Sequence, residues 1–291
     1  MLWLPLALLT ALCESLKDVF GKISLQNSDV YIVSFALRLF ALPFLIPVLF
    51  FIEIPALNAT FYFAVVTGGL MNVLITVLYM KAIKASDLSV TVPMVTFTPL
   101  FLLLTSPLIL GEFPNIYGLA GVLFIVFGAY MMHIKHLGKG RLMQPFRLLL
   151  SEKGPRLMLL VAFLWSITAN IDKVGIINSS PMFYVVAVSV FLAFAMFILA
   201  LIKSYRKLGQ IKTHAKNLWP IGFFTAATLI FQMIAISLTL VAYVIAIKRS
   251  SALLSVLWGL IFFKEKNISE RLWGTLVMLL GVLLIAFFNQ R

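Results

Sequence analysis

The chain has 291 residues, of which 62% are hydrophobic and 11% are charged, and its mean hydropathy is +1.08. These values lie far outside the range of soluble globular domains and indicate a polytopic protein of the lipid bilayer. The net charge of +13 would favour nucleic-acid binding in a soluble protein, but here the basic residues are assigned to membrane sidedness. A single cysteine and three scattered histidines give neither a disulfide framework nor a metal site.

Ten apolar stretches are long enough to cross a hydrocarbon core of about 30 Å, which takes about 20 helical residues. Backbone polar groups in lipid must be satisfied within the segment, so each stretch is predicted to be a helix. The first lacks the basic start and the cleavage site of a signal peptide, so we expect it to stay in the mature chain. In chain order the predicted spans are Leu2–Phe20, Val30–Ile52, Phe61–Ile83, Leu88–Leu110, Ile116–Ile134, Leu157–Ile177, Met182–Ile202, Leu218–Leu238, Leu240–Phe263 and Leu272–Phe288.

The two halves of the chain resemble each other at a constant offset of 153 residues. A glutamate followed by glycines at plus 9 and plus 16 occurs in both copies and is the strongest part of the match. The pairs are Met80 with Met233, Glu112 with Glu265, Gly121 with Gly274, and Gly128 with Gly281. We therefore predict a first repeat over residues 1–134, a basic linker over 135–156 and a second repeat over 157–291.

Lysine and arginine are concentrated in alternate connections between the predicted spans. The connections after the first, third, fifth, seventh and ninth spans contain them, whereas the others have almost none. Because positive residues stay in the cytoplasm, both termini are predicted outside and the linker His133–Arg156 inside. An odd number of helices in each half places the copies in opposite orientations, which predicts two inverted five-helix repeats.

With these features the chain resembles the EamA family of the drug/metabolite transporter superfamily. The residues that support the resemblance are Arg38, the LGE of Leu110–Glu112 and the FKE of Phe263–Glu265, with the glycines that follow each. The resemblance implies a ten-helix transporter with a central cavity between the halves. It also implies transport of small metabolites, amino acids or drugs, often outward.

The repeated glycines and glutamates have structural interpretations. Gly121 and Gly128, like Gly274 and Gly281, are two helical turns apart and share a face, so we expect them to bring two helix backbones together. Glu112 and Glu265 follow the fourth and ninth spans at the aqueous boundary. We expect them to cap the next helix or to pair with a basic residue, and gating is the alternative.

The fourth predicted span has three prolines, Pro93, Pro99 and Pro107, with threonines between them. Each proline frees a carbonyl, which membrane helices tolerate where hydroxyls or a water-filled cavity satisfy it. We expect this helix to line the transport pathway, with Pro93 and Thr96 as substrate contacts. The alternative is a kinked packing helix whose threonines bond to their own carbonyls.

Two adjacent basic residues, Lys248 and Arg249, lie nine and ten residues into the ninth predicted span. At 1.5 Å per residue they lie roughly 12–14 Å along the helix, near the membrane midplane. A basic residue at that depth costs at least about 2.5–3.5 kcal/mol, so it normally faces a cavity or a partner. Both are candidate substrate contacts, but adjacent residues lie about 100° apart on a helix, so we expect one to face the cavity while the other pairs with a carboxylate or caps a break. The repeat offset places Arg249 opposite Thr96. The alternative is a polar turn between two shorter elements in the headgroup region.

Two further charged groups are predicted at membrane depth. Arg38 lies in the second span and is expected to reach the substrate cavity or a carboxylate such as Glu14. Glu14 in the first span resembles the proton-coupling carboxylate of the related small multidrug transporters, and ion pairing with Lys17 or Arg38 is the alternative. Asp172 lies near the end of the sixth span and is expected at the interface.

These features predict a secondary transporter of a small anionic or zwitterionic metabolite, working by alternating access. The alternative is a proton-coupled exporter of amino acids or drugs, and a more remote one is a membrane receptor or scaffold. Prenyl-transferase, nucleophile-elbow, metalloprotease and nucleotide-loop motifs do not occur, so we expect no enzyme, cofactor, metal, nucleotide or nucleic acid. The expected location is the plasma (inner) membrane, as a monomer or homodimer.

Overall fold

The computed structural model describes residues 2–25, 29–85, 92–134, 152–213, 215–251, 254 and 269–288. These residues form helices joined by short connections, and no strand occurs among them. The α-helices are α1 (Trp3–Leu25), α2 (Val30–Leu39), α3 (Leu42–Leu45), α4 (Ala59–Ala85), α5 (Thr98–Leu110), α6 (Ile116–Ile134), α7 (Lys153–Ile177), α8 (Pro181–Ser204), α9 (Gln210–Thr213), α10 (Ala215–Leu238), α11 (Val241–Lys248) and α12 (Ser269–Phe288). Short 3₁₀ helices occupy Ile46–Phe51, Val92–Phe97 and Tyr205–Lys207.

Several of these helices are long and apolar enough to cross a membrane. The candidate spans are Tyr31–Phe51, Ala59–Tyr79, Lys153–Ile177, Pro181–Lys207 and Leu218–Leu238. Shorter apolar helices occupy Met94–Leu110, Ile116–Gly128 and Leu276–Ile285. The described part of the chain is therefore all-helical and has several candidate membrane spans, as expected for a polytopic membrane protein.

The second predicted span is not one straight helix. It is divided into α2, α3 and the 3₁₀ helix Ile46–Phe51, with Pro43 and Pro47 in the first turns of the two later pieces. Proline has no N–H to continue the hydrogen-bond ladder of the preceding turn, which accounts for the division. The ninth predicted span also differs, because α11 ends at Lys248 instead of continuing as one helix.

Contacts divide the chain into two compact units. The first unit is Met1–Val73 with Ile171–Thr239, and the second is Leu74–Asn170 with Leu240–Arg291. In the first unit α1 packs on α10, and α2 packs on α8 and α10. Aromatic contacts support this packing, since the rings of Phe35 and Phe197 lie 5.3 Å apart and those of Phe20 and Phe224 lie 5.7 Å apart.

In the second unit α6 packs along α12 at very short range. A Cβ atom added to Gly128 would lie 2.5 Å from the carbonyl oxygen of Gly274, and one added to Gly281 would lie 2.5 Å from that of Gly121. Only residues without a side chain allow two backbones to approach so closely. The prediction that these four glycines serve helix packing is confirmed.

Four predicted features lie wholly or partly outside the described residues. They are the start of the fourth predicted span (88–91), most of the basic linker, residues 252–253 and 255–263 of the ninth predicted span, and Glu265.

Candidate functional site

Arg249 is the basic residue with the best-defined surroundings in the second unit. It caps the C-terminal end of α11, and its Nη2 donates a hydrogen bond of 3.0 Å to Oγ1 of Thr98. The guanidinium carbon lies 5.4 Å from the ring centroid of Trp165. A cation at this distance over an indole ring is attracted by the negative face of the ring.

The backbone at Arg249 is a turn. Lys248 ends α11, and the N–H groups of Arg249 and Ser250 bond back to carbonyls of the same helix. Ser250 and residues Val241–Ile247 are buried, and Lys248 and Arg249 are partly buried. The alternative interpretation, a polar turn between two shorter elements, requires the helix to stop at Lys248–Arg249, and it does. The depth of these two residues in the membrane stays a prediction.

The segment before α5 supplies the partner of Arg249. Pro93 and Thr96 belong to the 3₁₀ helix Val92–Phe97, and Thr96 is buried. The repeat offset placed Arg249 opposite Thr96, but the side chain that it contacts is Thr98, at the first residue of α5. Pro93 and Thr96 as substrate contacts therefore stay predictions, and Thr98 and Trp165 are contacts that sequence reasoning missed.

Glu112 holds the opposite end of α11. Its Oε2 accepts a hydrogen bond of 3.0 Å from the N–H of Val241, the first residue of that helix. A carboxylate at a helix N-terminus satisfies a free donor and interacts favourably with the helix dipole. The structural interpretation of Glu112 as a cap is confirmed, although the capped helix is α11 and not the next one along the chain.

A cluster of charged residues lies in the first unit. Glu14 forms an ion pair of 2.7 Å with Lys17, which is the alternative that its sequence position left open. Arg38 interacts electrostatically with both Glu14 and Asp172. Asp172 is buried and accepts a hydrogen bond of 3.0 Å from the hydroxyl of Tyr184. Asp172 is therefore packed inside the unit, where α7 meets α8, and its expected place at the membrane interface stays a prediction.

A second polar cluster of the first unit surrounds Asp29, which precedes α2. Its carboxylate caps the helix by accepting from the N–H of Tyr31 at 3.0 Å, and it also accepts from Ser204 and Lys207, both at 2.8 Å. Its own N–H donates to Gln210. Burial raises the pKa of Asp29, but these hydrogen bonds and the charge of Lys207 outweigh it, so that the pKa is below its ordinary value.

A buried hydrogen-bond network joins α5 to α7 in the second unit. Asn170 donates to Thr105 at 3.0 Å and to the carbonyl of Ser166 at 2.9 Å, and it accepts from Ser106 at 2.8 Å. Asn170 is completely buried and uses both of its N–H donors and its oxygen. The network therefore joins the helix that carries Thr98 to the helix that carries Trp165.

The part of the chain that the structure describes has no cluster of three or more His, Cys, Asp or Glu residues suited to a metal ion. Arg249 contacts a hydroxyl and an aromatic ring, and Arg38 interacts with two carboxylates.

A family model described as the EamA-like transporter family matches residues 1–134 and 153–287. The chain belongs to this family. EamA proteins are part of the drug/metabolite transporter superfamily, and theirs is a family of transporters and not of enzymes. Membership also implies a small-molecule substrate and a lipid environment.

Solved structures share the fold of this EamA protein. Twenty-eight chains of solved structures match this chain. One of them comes from a crystal structure described only as that of a protein, and the alignment covers 99% of this chain and 99% of that chain. The TM-score is 0.76 and the sequence identity is 13%, so the likeness concerns the fold alone. No curated protein matches the sequence at a significant level.

Proposed function

We propose that this EamA protein is a secondary transporter that moves a small anionic or zwitterionic metabolite by alternating access. Its ten helices would form two inverted five-helix repeats, each with an odd number of spans, in the plasma (inner) membrane. The repeat offset of 153 residues, the alternating basic connections and the family support this arrangement. Arg38, Pro93, Thr96, Lys248 and Arg249 are the proposed substrate contacts.

The observation that favours an anion is the environment of Arg249. Thr98 and Trp165 both contact the guanidinium, and neither side chain carries a charge of its own. Lys248 adds a second positive charge one residue away. In a partly dry site such charges favour a carboxylate or a phosphate over a cation, and the arginine fork matches both groups.

Arg38 contributes less to this positive charge than its sequence position suggested. Two cations, Lys17 and Arg38, interact with two carboxylates, Glu14 and Asp172, so the formal charges of this group of four balance. The proposal therefore places the anionic group of the substrate at Lys248 and Arg249.

Binding followed by transport tests the proposal. Purified protein is screened by thermal shift against phosphate, succinate, neutral amino acids and a lipophilic cation, since a ligand bound only by the folded state raises stability. The compound that stabilises most is then measured for uptake into proteoliposomes. We expect an anion or a zwitterion to be selected and Arg249→Ala to weaken its binding at least about 30-fold, as when one partner of a desolvated charge pair is removed.

The matched control is Thr225→Val, which removes a buried hydroxyl of the first unit that donates to the carbonyl oxygen of Ile221. Unchanged affinity in both Arg249→Ala and Lys248→Ala would contradict the anion site, as would transport of the cation alone. Binding without uptake would favour the receptor or scaffold alternative.

The carboxylates of the first unit favour a second candidate function, a proton-coupled exporter of amino acids or drugs. Glu14 and Asp172 interact with one arginine and lie close to Lys17 and Tyr184, and such a group can exchange a proton for a substrate. An imposed pH gradient across proteoliposomes should then drive uptake in the wild type and not in Glu14→Gln. Equal uptake with and without the gradient would exclude this mechanism.

A further inference from the structure

The guanidinium of Arg249 is held from two directions by residues of two other helices. Thr98 of α5 accepts from Nη2 at 3.0 Å, and the ring of Trp165 of α7 lies 5.4 Å from the guanidinium carbon. A hydrogen bond fixes one nitrogen, and an aromatic face favours a guanidinium plane placed over it. Together these contacts restrict the rotation of a long side chain that would otherwise have many rotamers.

Thr98 can serve Arg249 only as an acceptor. Its hydroxyl proton is donated to the carbonyl oxygen of Val95 at 2.7 Å, and the side chain is almost completely buried. The residue that would donate the α-helical hydrogen bond to this carbonyl is Pro99, which has no N–H. The proline therefore leaves this carbonyl available to the Thr98 hydroxyl, whose oxygen lone pairs then accept from Arg249.

Trp165 is itself fixed by packing. Its ring lies 5.8 Å from that of Tyr79, and both rings pack against a buried cluster that includes Met94, Val95 and Met158. A tilted aromatic pair within a packed cluster has one favoured orientation. Packing thus holds the indole ring in place next to the Arg249 guanidinium.

We propose that Thr98 and Trp165 are positioning residues that orient the Arg249 guanidinium for the anionic group of the substrate. This proposal rests on the proposed function of Arg249. A guanidinium that is already oriented loses less rotamer entropy when the anion binds, so its positioning residues raise affinity without touching the substrate.

The first test measures the affinity of phosphate and of succinate by the dependence of thermal stability on their concentrations. Thr98→Val keeps the shape and removes the acceptor, so we expect a loss of about fivefold, the value of one hydrogen bond of about 1 kcal/mol. Thr98→Ser retains the hydroxyl and should restore affinity. Trp165→Leu should weaken binding and Trp165→Phe less so, while the controls Thr225→Val and Trp219→Leu should leave it unchanged.

The outcomes separate this proposal from the proposed function. Unchanged affinity in Arg249→Ala would overturn the anion site itself. A loss in Arg249→Ala beside unchanged affinity in Thr98→Val and Trp165→Leu would overturn only the positioning role. A Thr98→Ser variant as weak as Thr98→Val would also overturn it, because the loss would then not come from the hydroxyl.

A second test needs no substrate. Phenylglyoxal modifies arginine, and its reaction with Arg249 is followed by mass spectrometry of the chymotryptic peptide. We expect several-fold faster modification in Thr98→Val and Trp165→Leu than in the wild type and Thr98→Ser, with Arg38 unchanged as the internal control. Equal modification of Arg249 in all variants, whether high or absent, would contradict the positioning role.

Discussion

At the residue scale, Glu14, Lys17 and Arg38 of the first unit interact with groups of opposite charge, and Arg249 of the second unit contacts the neutral side chains of Thr98 and Trp165. A hydroxyl and an aromatic ring can orient a guanidinium without supplying a counter-charge of their own. These contacts are the reason to propose a substrate role for Arg249 before one for Arg38, although both lie in apolar predicted spans.

The first prediction concerns the paired N–H groups of the Arg249 guanidinium, which can bind a carboxylate or a phosphate through two hydrogen bonds. Arg249→Lys keeps the positive charge but cannot form two parallel hydrogen bonds to a carboxylate or a phosphate. We expect Arg249→Lys to lose nearly as much substrate affinity as Arg249→Ala, measured by thermal shift or by uptake. Lys248→Arg is the matched control, since it preserves charge at the neighbouring position. Full activity in Arg249→Lys would show that charge alone is recognised.

Asp29 gives a prediction on stability. Replacing an N-cap aspartate by alanine costs about 1 kcal/mol, and asparagine costs less because its side chain still caps. We therefore expect the melting temperature to fall in the order wild type, Asp29→Asn, Asp29→Ala at neutral pH. Thermal unfolding of the purified protein measures this order, and Glu53→Gln, at an exposed residue, is the control.

The pH dependence of the Asp29 effect follows from its lowered pKa. A carboxylate with a lower pKa in the folded than in the unfolded protein stabilises above the unfolded value, about 3.9, and loses this contribution as the pH falls through the folded value. The difference between wild type and Asp29→Asn should therefore be full at neutral pH and shrink below about pH 4. A constant difference from pH 7 to pH 3 would contradict the ionic origin of the effect.

At the element scale, the pair α6 and α12 depends on backbone contact. Gly121 and Gly128 lie on one face of α6 and meet Gly274 and Gly281 of α12. In lipid the burial of apolar surface does not drive helices together, so close van der Waals contact must do so. The glycine spacing, two turns in each helix, sets the register of the pair.

Gly128→Ala tests this contact. The added methyl group would lie 2.5 Å from a backbone oxygen of α12, and a backbone cannot move aside as a flexible side chain does. We expect a loss of about 1–3 kcal/mol of stability, the usual cost of overpacking. Gly209→Ala is the matched control, because no atom lies within 4 Å of its added methyl. Equal melting temperatures for the two variants would contradict tight packing at Gly128.

The sequence predicted those elements that depend on local pattern. The predicted span Ile116–Ile134 has the bounds of α6, and the glycine pattern correctly marks a close helix contact. It did not predict the partners that depend on tertiary packing. Glu112 caps a helix 129 residues further along the chain, and Trp165 contacts Arg249 from another helix. Neither contact produces a short, recognisable residue spacing in the sequence. Pro43 and Pro47 divide the second predicted span in the structure. The prediction of one continuous helix there was based on hydropathy and did not take these prolines into account.

At the scale of the whole molecule, each compact unit contains residues from both halves of the chain. The first half supplies Met1–Val73 to the first unit and residues 74–134 to the second, and the second half supplies Ile171–Thr239 to the first unit and residues 153–170 with Leu240–Arg291 to the second. The family model nevertheless matches the two halves as separate segments. Each compact unit therefore contains residues of both segments that the family model matches.

The orientation of the molecule gives the last prediction. Ten predicted spans would place both termini on the same side, and the basic connections predict that this side is outside, with the linker His133–Arg156 in the cytoplasm. Reporters active only in the cytoplasm should be inactive when fused to either terminus and active when inserted near Gly140 of the linker. Cytoplasmic activity at both termini would reverse the orientation, and activity at only one would require an odd number of spans. The inverted repeat needs five spans in each half, so this last result would contradict the duplication itself.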